Sequence, residues 1–360
     1  MRIIHCADLH LDAKMTAHLS REQAKQRKDE LLHTFGRMVN YAEERKVNAI
    51  LIAGDMFDRN TISVQARKYV YDLITSHPYI VFFYLEGNHD AASFIVEGQA
   101  TPENLKVFPM GWKTYVLYDD GERAITLSGA QDATLDADGL RLKQQDFNIV
   151  TLHGQIGEKD DEINLKDYCD KGIDYLALGH IHSYTEGVLL PDGVYCYPGC
   201  LEGRGFDECG DHGFVMLDID ERNFSLMRQF VSFAARRLYE FEVDISGCMS
   251  TYEVINRMEA LERLSSYRND LVRFVLVGET DIDSEKNLGL IEEHFQDDFY
   301  FVTVRDRSVT RVDYRQFRLD KSLKGEFVRL LEGKQGISEE KKAEIIRCGI
   351  QALNGEEIVL

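Results

Sequence analysis

The sequence has few of the features that mark fibrous, membrane and secreted proteins. It contains 5 prolines and 1 tryptophan in 360 residues, which excludes collagen-like and proline-rich architectures. Its longest apolar runs, at 47–53 and 79–85, are much shorter than the ~18 residues that a membrane-spanning helix needs. The N-terminus reads MRIIHCADLH, with acid and histidine where a signal peptide carries its apolar stretch. We therefore expect a cytoplasmic protein with no membrane segment.

Cysteine spacing and net charge narrow the class further. The 7 cysteines are scattered, with no C-x-x-C pair and no zinc-finger spacing, so reduced thiols in a cytosol fit best. The chain has 42 basic and 62 acidic side chains and a net charge of −20. Such a chain repels the phosphates of nucleic acid at long range. A nucleic-acid function would therefore need a locally positive site.

The order of apolar patterns predicts an α/β fold followed by a smaller module. Runs of β-branched and aromatic residues alternate with amphipathic stretches through the first two-thirds of the chain, which is typical of βαβ units. The predicted strands are 2–7, 48–53, 80–86, 148–153 and 175–179, and the predicted helices are 20–46 and 63–76. A small α+β module follows Phe233, and two helical patterns end the chain. We predict domains at 1–232 and 233–321 and a helical segment at 322–360.

Metal-binding side chains follow the predicted strands. The segments are DLH at 8–10, GD at 54–55, GNHD at 87–90, HG at 153–154 and GHIH at 179–182. Open α/β sheets bind ligands at the carboxyl ends of their strands. Histidine, carboxylate and amide donors without thiolate suit manganese, iron or zinc in a hydrolytic site. Any one histidine could be an ordinary core or surface residue, but 5 of the 11 fall in these segments.

These motifs resemble those of the calcineurin-like metallophosphoesterases: D-x-H, G-D-x-x-D, G-N-H-D, H-G and G-H-x-H occur in order. The segments HCADLHLD, GDMFDRN and YPGCLEGRGFDE are similar to those of SbcD-type DNA repair exonucleases, particularly the YhaO-type branch. The resemblance implies a β-sandwich flanked by helices, with a small α+β capping domain. It also implies two divalent metal ions, with manganese favoured over iron or zinc.

The resemblance assigns a role to each residue of the motifs. One metal would be held by Asp8, His10 and His182, the other by Asn88, His153 and His180, with Asp55 bridging them. Two divalent ions carry +4 and two carboxylates return −2, so about +2 remains to attract a phosphodiester. A hydroxide between the metals would be the nucleophile and His89 the general acid, oriented by Asp58. Arg59 would bind phosphate, although a simple surface role fits it equally well.

The leading hypothesis is a two-metal phosphodiesterase that acts on DNA as an exonuclease. The same ligands would also serve a phosphatase or phosphodiesterase acting on a small molecule or phosphoprotein. A third hypothesis, a non-catalytic scaffold for an ATPase, predicts lost ligands, and the sequence has lost none. In the second module Arg305, Arg307 and Arg311 share parity, so a continuous strand would present them together to a DNA backbone. A solvated edge strand is the alternative.

The resemblance also implies a protein partner. SbcD-type nucleases use helices after the capping domain to dock an SbcC-type coiled-coil ATPase. The candidate anchors in the tail are Phe327, Leu330, Leu331, Ile345, Ile346 and Ile350. The alternative is that both tail helices pack against their own unit. A homodimer is left open.

Overall fold

The fold was analysed in a computed structural model of the chain. It describes residues 1–15, 19–58, 62–87, 95, 99–132, 137–159, 161–282, 284–312, 314–317 and 319–354. The chain divides into two compact units, Met1–Arg237 and Leu238–Leu360. The predicted three-part division remains a prediction.

The first unit is a sandwich of two six-stranded sheets with helices on one outer face. Its strands are β1 (Arg2–Cys6), β2 (Ala49–Ala53), β3 (Val81–Leu85), β4 (Leu105–Val107), β5 (Lys113–Asp119), β6 (Ala124–Gly129), β7 (Phe147–His153), β8 (Tyr175–Gly179), β9 (Thr185–Leu189), β10 (Gly193–Tyr197), β11 (Gly213–Ile219) and β12 (Leu226–Ser232). Its α-helices are α1 (Arg21–Glu44) and α2 (Val64–Ser76). Short 3-10 turns lie at Ala137–Gly139 and Leu165–Tyr168.

The strand order places both sheets with parallel strands at their centre. Sheet one runs β12-β11-β1-β2-β3-β4 and sheet two runs β5-β6-β7-β8-β10-β9. In sheet one β1, β2, β3 and β4 are parallel, and in sheet two β6, β7, β8 and β10 are parallel. The α/β prediction is confirmed.

Apolar side chains of both sheets meet in one core. Leu51 and Phe83 of sheet one and Ile149 and Tyr175 of sheet two belong to the same buried cluster, so the sheets pack face to face. The opposite face of sheet one packs against α1 and α2 in a second cluster. Nearly every strand position is therefore buried at β2, β7 and β8.

Both helices of the first unit start where the sequence predicts. Ser20 caps α1 in a reciprocal capping box with Gln23, and the side chain of Ser63 accepts a hydrogen bond from the backbone of Ala66 at the start of α2. These side chains satisfy backbone N–H groups that have no partner within the helix. The predicted helices at 20–46 and 63–76 are confirmed to within two residues.

The second unit contains two small sheets and five helices in its described residues. The strands are β13 (Leu238–Asp244), β14 (Leu271–Val277), β15 (Glu279–Asp281), β16 (Phe301–Asp306) and β17 (Val309–Arg311). The helices are α3 (Thr251–Glu259), α4 (Leu288–Phe295), α5 (Tyr314–Phe317), α6 (Leu323–Glu332) and α7 (Glu339–Asn354). The order β13-β14-β16 is a parallel sheet, and β15 pairs with β17 separately.

The strand that carries Arg305 does not continue to Arg311. It stops at Asp306, whose carboxylate accepts hydrogen bonds from the backbone and hydroxyl of Ser308, and β17 then joins the other sheet. An aspartate that bonds to the chain two residues later favours a turn over an extended strand. A continuous strand, the condition for presenting Arg305, Arg307 and Arg311 together, is therefore not met.

The tail helices pack against each other and against the same unit. One buried cluster combines Val328 and Leu331 of α6, Ile346 and Ile350 of α7, and Ile282. The partly buried Phe327 and Ile345 pack against this cluster. Leu330 is 65% exposed. Five of the six candidate anchors therefore contribute to the core of the unit itself, as the alternative of self-packing expects, and their contact with a partner stays a prediction. Within the described ranges, no helix is both long enough and apolar enough to cross a membrane.

Candidate metal centre

The candidate ligands meet at one edge of the sandwich, where central strands of both sheets end. Asp8 and His10 follow β1, and Asp55 follows β2. His153 is the last residue of β7, and His182 comes three residues after the end of β8. The edge predicted from the motifs is therefore where the structure brings these five side chains together.

Backbone hydrogen bonds join the two loops of sheet one. The amide of Asp8 donates to the carbonyl of Gly54 at 3.1 Å, and the amide of His10 donates to the carbonyl of Asp55 at 3.0 Å. Asp8, His10 and Asp55 have φ angles of 50°, 43° and 51°, and His180 has a φ of 104°. Residues with a Cβ atom rarely adopt this region, and such strain concentrates at functional sites.

The first group that could hold a cation consists of Asp8, His10 and His182, with ligand atoms all within 4.8 Å of one another. The Nε2 atoms of His10 and His182 are 3.2 Å apart, and Nε2 of His182 is 4.0 Å from a carboxylate oxygen of Asp8. Two imidazoles and a carboxylate are a donor set suited to a divalent transition metal.

The second group consists of Asp8, Asp55 and His153, also within 4.8 Å. Nδ1 of His153 lies 2.9 Å from the carbonyl of Ala53, so it carries the proton and donates. Nε2 lies 3.3 Å from the Asp55 carboxylate, and in the neutral ring it offers its lone pair to a cation. Asp8 belongs to both groups of ligand atoms. The assignment of Asp55 as the residue that bridges the two metals stays a prediction.

Asp8 is held in place by the end of β8. The backbone amide of His180 donates to both carboxylate oxygens of Asp8 at 3.0 Å. The imidazole of His180 lies edge-on to that of His153, with ring centroids 5.5 Å apart. His180 thus lies beside the second group without belonging to either cluster of ligand atoms.

Glycines allow the loops to approach one another closely. A Cβ atom on Gly54 (φ +96°) would lie 2.0 Å from Nδ1 of His153, and one on Gly87 would lie 2.2 Å from the Asp55 carboxylate. A side chain at either position would displace a candidate ligand. The glycines in the G-D and G-N-H-D motifs therefore have a steric reason to be there.

Burial and neighbouring charges shift the pKa values of the ligands in the metal-free protein. Burial raises the pKa of Asp8 to about 6, with His153 and His182 opposing the shift. Burial lowers the pKa of His153, but the hydrogen bond and charge of Asp55 outweigh it and raise the pKa to about 9. The hydrogen bond with Glu208 raises the pKa of His182. Carboxylates and imidazoles at these distances hold protons between them in the metal-free protein. A bound cation would replace those protons, so the arrangement suits a metal.

Three predicted site residues, Arg59, Asn88 and His89, lie outside the described residues. Asp58 was predicted to orient His89. In the structure its carboxylate is 3.6 Å from Nδ1 of His10 and 3.9 Å from Nη1 of Arg204.

Two further residues, Glu208 and Arg204, lie at the site although no motif predicts them there. The carboxylate of Glu208 lies 2.6 Å from Nδ1 of His182, and a guanidinium nitrogen of Arg204 lies 3.3 Å from the same atom. Both belong to the segment YPGCLEGRGFDE, which carried the family resemblance but no predicted ligand.

A cleft of about 630 Å³ opens beside His153 and His180. Its walls include Met110, Gln131 and Gln155. This volume is within the usual range for small-ligand sites, so there is room for a small substrate group beside the ligands.

The predicted arginines of the second unit are exposed where the structure describes their side chains. Arg305 lies opposite Val275 in β16, one residue before the end of that strand, and Arg307 follows the strand. The backbone of Arg311 lies in β17 beside Asp281, but its side chain is outside the described part. Their contact with DNA remains a prediction.

Comparisons with known proteins agree with this geometry. Residues 1–184 match the family model for calcineurin-like phosphoesterases. The chain is 25% identical over 245 residues to the uncharacterized metallophosphoesterase YhaO of Bacillus subtilis, covering 62% of this chain and 59% of that protein. It is 23% identical over 283 residues to the DNA double-strand break repair protein Mre11 of Aeropyrum pernix, covering 71% and 66%. For the Mre11 protein of Methanopyrus kandleri the identity is 25% over 255 residues, covering 61% and 54%.

These matches span between 54% and 66% of the length of the curated relatives. Among solved structures, a dimetal phosphatase from Danio rerio has a TM-score of 0.43 at 9% identity, covering 64% of this chain and 97% of that one. The finer similarity to SbcD-type enzymes stays a prediction.

Proposed function

Because this chain belongs to the calcineurin-like phosphoesterase family, we propose that it is a two-metal phosphodiesterase that hydrolyses DNA. The observation that carries the chemistry is the pair of ligand groups sharing Asp8 at one edge of the sandwich. The family uses a dinuclear metal centre. We propose manganese as the metal, since imidazole and carboxylate donors without thiolate suit it.

Each residue of the site has a separate task in this proposal. Asp8, Asp55, His10, His153 and His182 would hold the two cations together with Asn88 and His180. When bound, the cations lower the pKa of water and neutralise charge that develops on the phosphoryl oxygens. His89 would donate a proton to the leaving oxygen, a contribution of about 10²–10⁴ in rate.

Local chemistry outweighs net charge in this proposal. A chain with a net charge of −20 repels DNA at a distance. The charge of two divalent cations would exceed that of the carboxylates Asp8 and Asp55, so the site itself would be positive. The exposed Arg305 and Arg307 would supply additional phosphate contacts on the second unit, together with Arg311. Two relatives carry the words DNA double-strand break repair in their names, which supports DNA as the substrate.

A small phosphoester is the second candidate substrate, and the cleft favours it. Glu86, Asp161 and Glu162 contribute carboxylates to the cleft, and its one lysine, Lys159, pairs with Glu162 at 3.1 Å. Among the described lining residues, no unpaired cation is available to a second phosphate. This lining suits a single phosphate group better than a polyanion.

One assay separates the two substrates. The protein would be incubated with Mn²⁺ and labelled single- or double-stranded DNA, and in parallel with an aryl phosphate monoester and diester. DNA and diester hydrolysis that EDTA abolishes is the expected result. Cleavage of the monoester alone would refute the nuclease proposal and support the phosphatase.

We also propose an SbcC-type coiled-coil ATPase as the partner, docked on the outer face of α6. Leu323 and Leu330 lie two turns apart on α6 and are 69% and 65% exposed, and Leu319, before the helix, is 91% exposed. Large exposed apolar side chains near one another mark interaction surfaces. Leu323→Glu with Leu330→Glu should abolish co-purification with the ATPase, while Leu290→Glu on α4, which is 38% exposed, should not. Retention of the ATPase by the double variant would contradict the proposed surface.

A further inference from the structure

The loop after β10 places a carboxylate against one candidate ligand. Glu208 is 6% exposed, and one of its oxygens lies 2.6 Å from Nδ1 of His182. Nη2 of Arg204 donates to the same oxygen at 2.8 Å, and the backbone amide of Arg204 donates to the other at 2.7 Å. Both carboxylate oxygens are therefore engaged by donors.

The charge of Glu208 decides which nitrogen of His182 carries the proton. The guanidinium and the backbone amide of Arg204 donate to the two oxygens of Glu208, so this side chain acts as a charged acceptor in both contacts. An ionised carboxylate only accepts hydrogen bonds. Nδ1 of His182 must therefore be the donor at this distance.

The other nitrogen of His182 is thereby left for a metal. In the neutral ring a proton on Nδ1 leaves a lone pair on Nε2, and Nε2 faces Nε2 of His10 at 3.2 Å and a carboxylate oxygen of Asp8 at 4.0 Å. We infer that Glu208 is a positioning residue that fixes His182 as an Nε2 ligand of one cation. This inference rests on the proposed two-metal function, and it adds a residue outside the predicted ligand set.

Arg204 extends the arrangement to the second imidazole of the group. Asp58 faces Nδ1 of His10 at 3.6 Å, as Glu208 faces Nδ1 of His182. Nη1 of Arg204 lies 3.9 Å from the Asp58 carboxylate, while Nη2 binds Glu208. One guanidinium thus offsets the charge of two buried or nearly buried carboxylates, which would otherwise cost stability.

Besides the hydrogen bond from the Arg204 amide to the Glu208 carboxylate, the backbone of the loop is held by contacts that do not involve the Glu208 side chain. The carbonyl of Glu208 accepts a hydrogen bond from Nε2 of His212 at 2.8 Å. Nδ1 of His212 is 3.2 Å from the thiol of Cys200, whose amide donates to the carbonyl of His182 at 3.0 Å. A variant that shortens the Glu208 side chain should therefore keep the fold of the loop.

The test is a calorimetric Mn²⁺ titration of the metal-free full-length protein. Loss of a carboxylate that orients a ligating histidine typically costs about 10–100-fold in metal affinity. Glu208→Ala should weaken the Mn²⁺ affinity of one of the two binding steps by about this factor and leave the other within about twofold. For Glu208→Gln we expect a loss of affinity near the lower end of this range. Asp207→Asn removes the same charge from the adjacent exposed residue and should match the parent.

A double-mutant cycle separates positioning from general destabilisation. If Glu208 acts through His182, Glu208→Ala should cost nothing further once His182→Ala is present. Equal weakening in both backgrounds, or two unchanged binding steps in Glu208→Ala, would overturn the inference. Should Glu208→Ala fail to fold in thermal melts, Glu208→Gln against Asp207→Asn decides the question. A parent that binds no Mn²⁺ would instead refute the proposed function itself.

Discussion

A buried histidine outside the site should make the first unit sensitive to mild acid. His5 of β1 is fully buried in the core between the sheets, and its Nδ1 lies 2.9 Å from the hydroxyl of Tyr175. Burial lowers its pKa from 6.5 to about 3, and a backbone hydrogen bond at Leu178 opposes the shift. The unfolded chain therefore binds a proton between these pH values that the folded chain does not.

The sign and size of the effect follow from this difference. Because the unfolded state binds more protons in this window, the free energy of unfolding falls as the pH falls through 6.5, by about 1.4 kcal/mol for each pH unit. Between pH 7.5 and pH 5 the contribution of His5 is about 2 kcal/mol of lost stability. His5→Asn keeps a hydrogen-bonding group near the Tyr175 hydroxyl but removes the titration.

Urea unfolding in EDTA at both pH values measures the contribution. The single tryptophan, Trp112, packs against Tyr168 in the first unit with ring centroids 6.5 Å apart, so its fluorescence reports the unit that contains His5. His5→Asn should lose about 2 kcal/mol less than the parent between the two pH values. The exposed His33 supplies the control, since His33→Asn should behave as the parent does. Equal losses in parent and His5→Asn would show that His5 does not resist protonation.

Three further predictions address the proposed site. Asp55→Ala removes a shared negative charge and should strongly weaken the binding of both metal ions. Two ions per chain retained in metal analysis would exclude Asp55 as the bridge. His89→Ala should keep the metal content and lower turnover by about 10²–10⁴, whereas loss of metal together with activity would make His89 a ligand. Neutralising Arg305, Arg307 and Arg311 should reduce the salt dependence of duplex DNA binding by about 0.9 per lost phosphate contact, while hydrolysis of a small diester stays unchanged. An unaltered salt slope would identify these arginines as solvated surface residues.

Local patterns in the sequence were sufficient for the elements and for the edge where the ligands meet. Ser20 and Ser63 predict helix starts because a capping side chain bonds within three residues. The strand predictions at β1 and β8 agree with the structure to within one residue, since buried parallel strands read as short continuous apolar runs. Because Asp8 and His182 each follow such a strand, the sequence alone predicts that they meet at one edge, even though it does not show how the sheets pack.

Contacts between distant segments could not be predicted in the same way. Glu208 lies 26 residues from His182, and no periodicity of the chain relates the two. The apolar stripe of α7 predicts that Ile346 and Ile350 are buried, but not whether their partner is α6 or another protein. The turn after Asp306 is held by two hydrogen bonds from Ser308 to the Asp306 carboxylate, which outweigh the extended pattern around it.

The division of the ligands between two sheets has a mechanical consequence. All 7 cysteines are among the described residues and none is in a disulfide, yet His10 and His182 meet across 172 residues of chain. A cation held by both would tie these distant segments together, as a disulfide does in secreted proteins, but without an oxidising compartment. Chelators would then act on this chain as reductants act on disulfide-linked domains. They would release the ligand edge of the sandwich while the hydrogen bonds within each sheet remain.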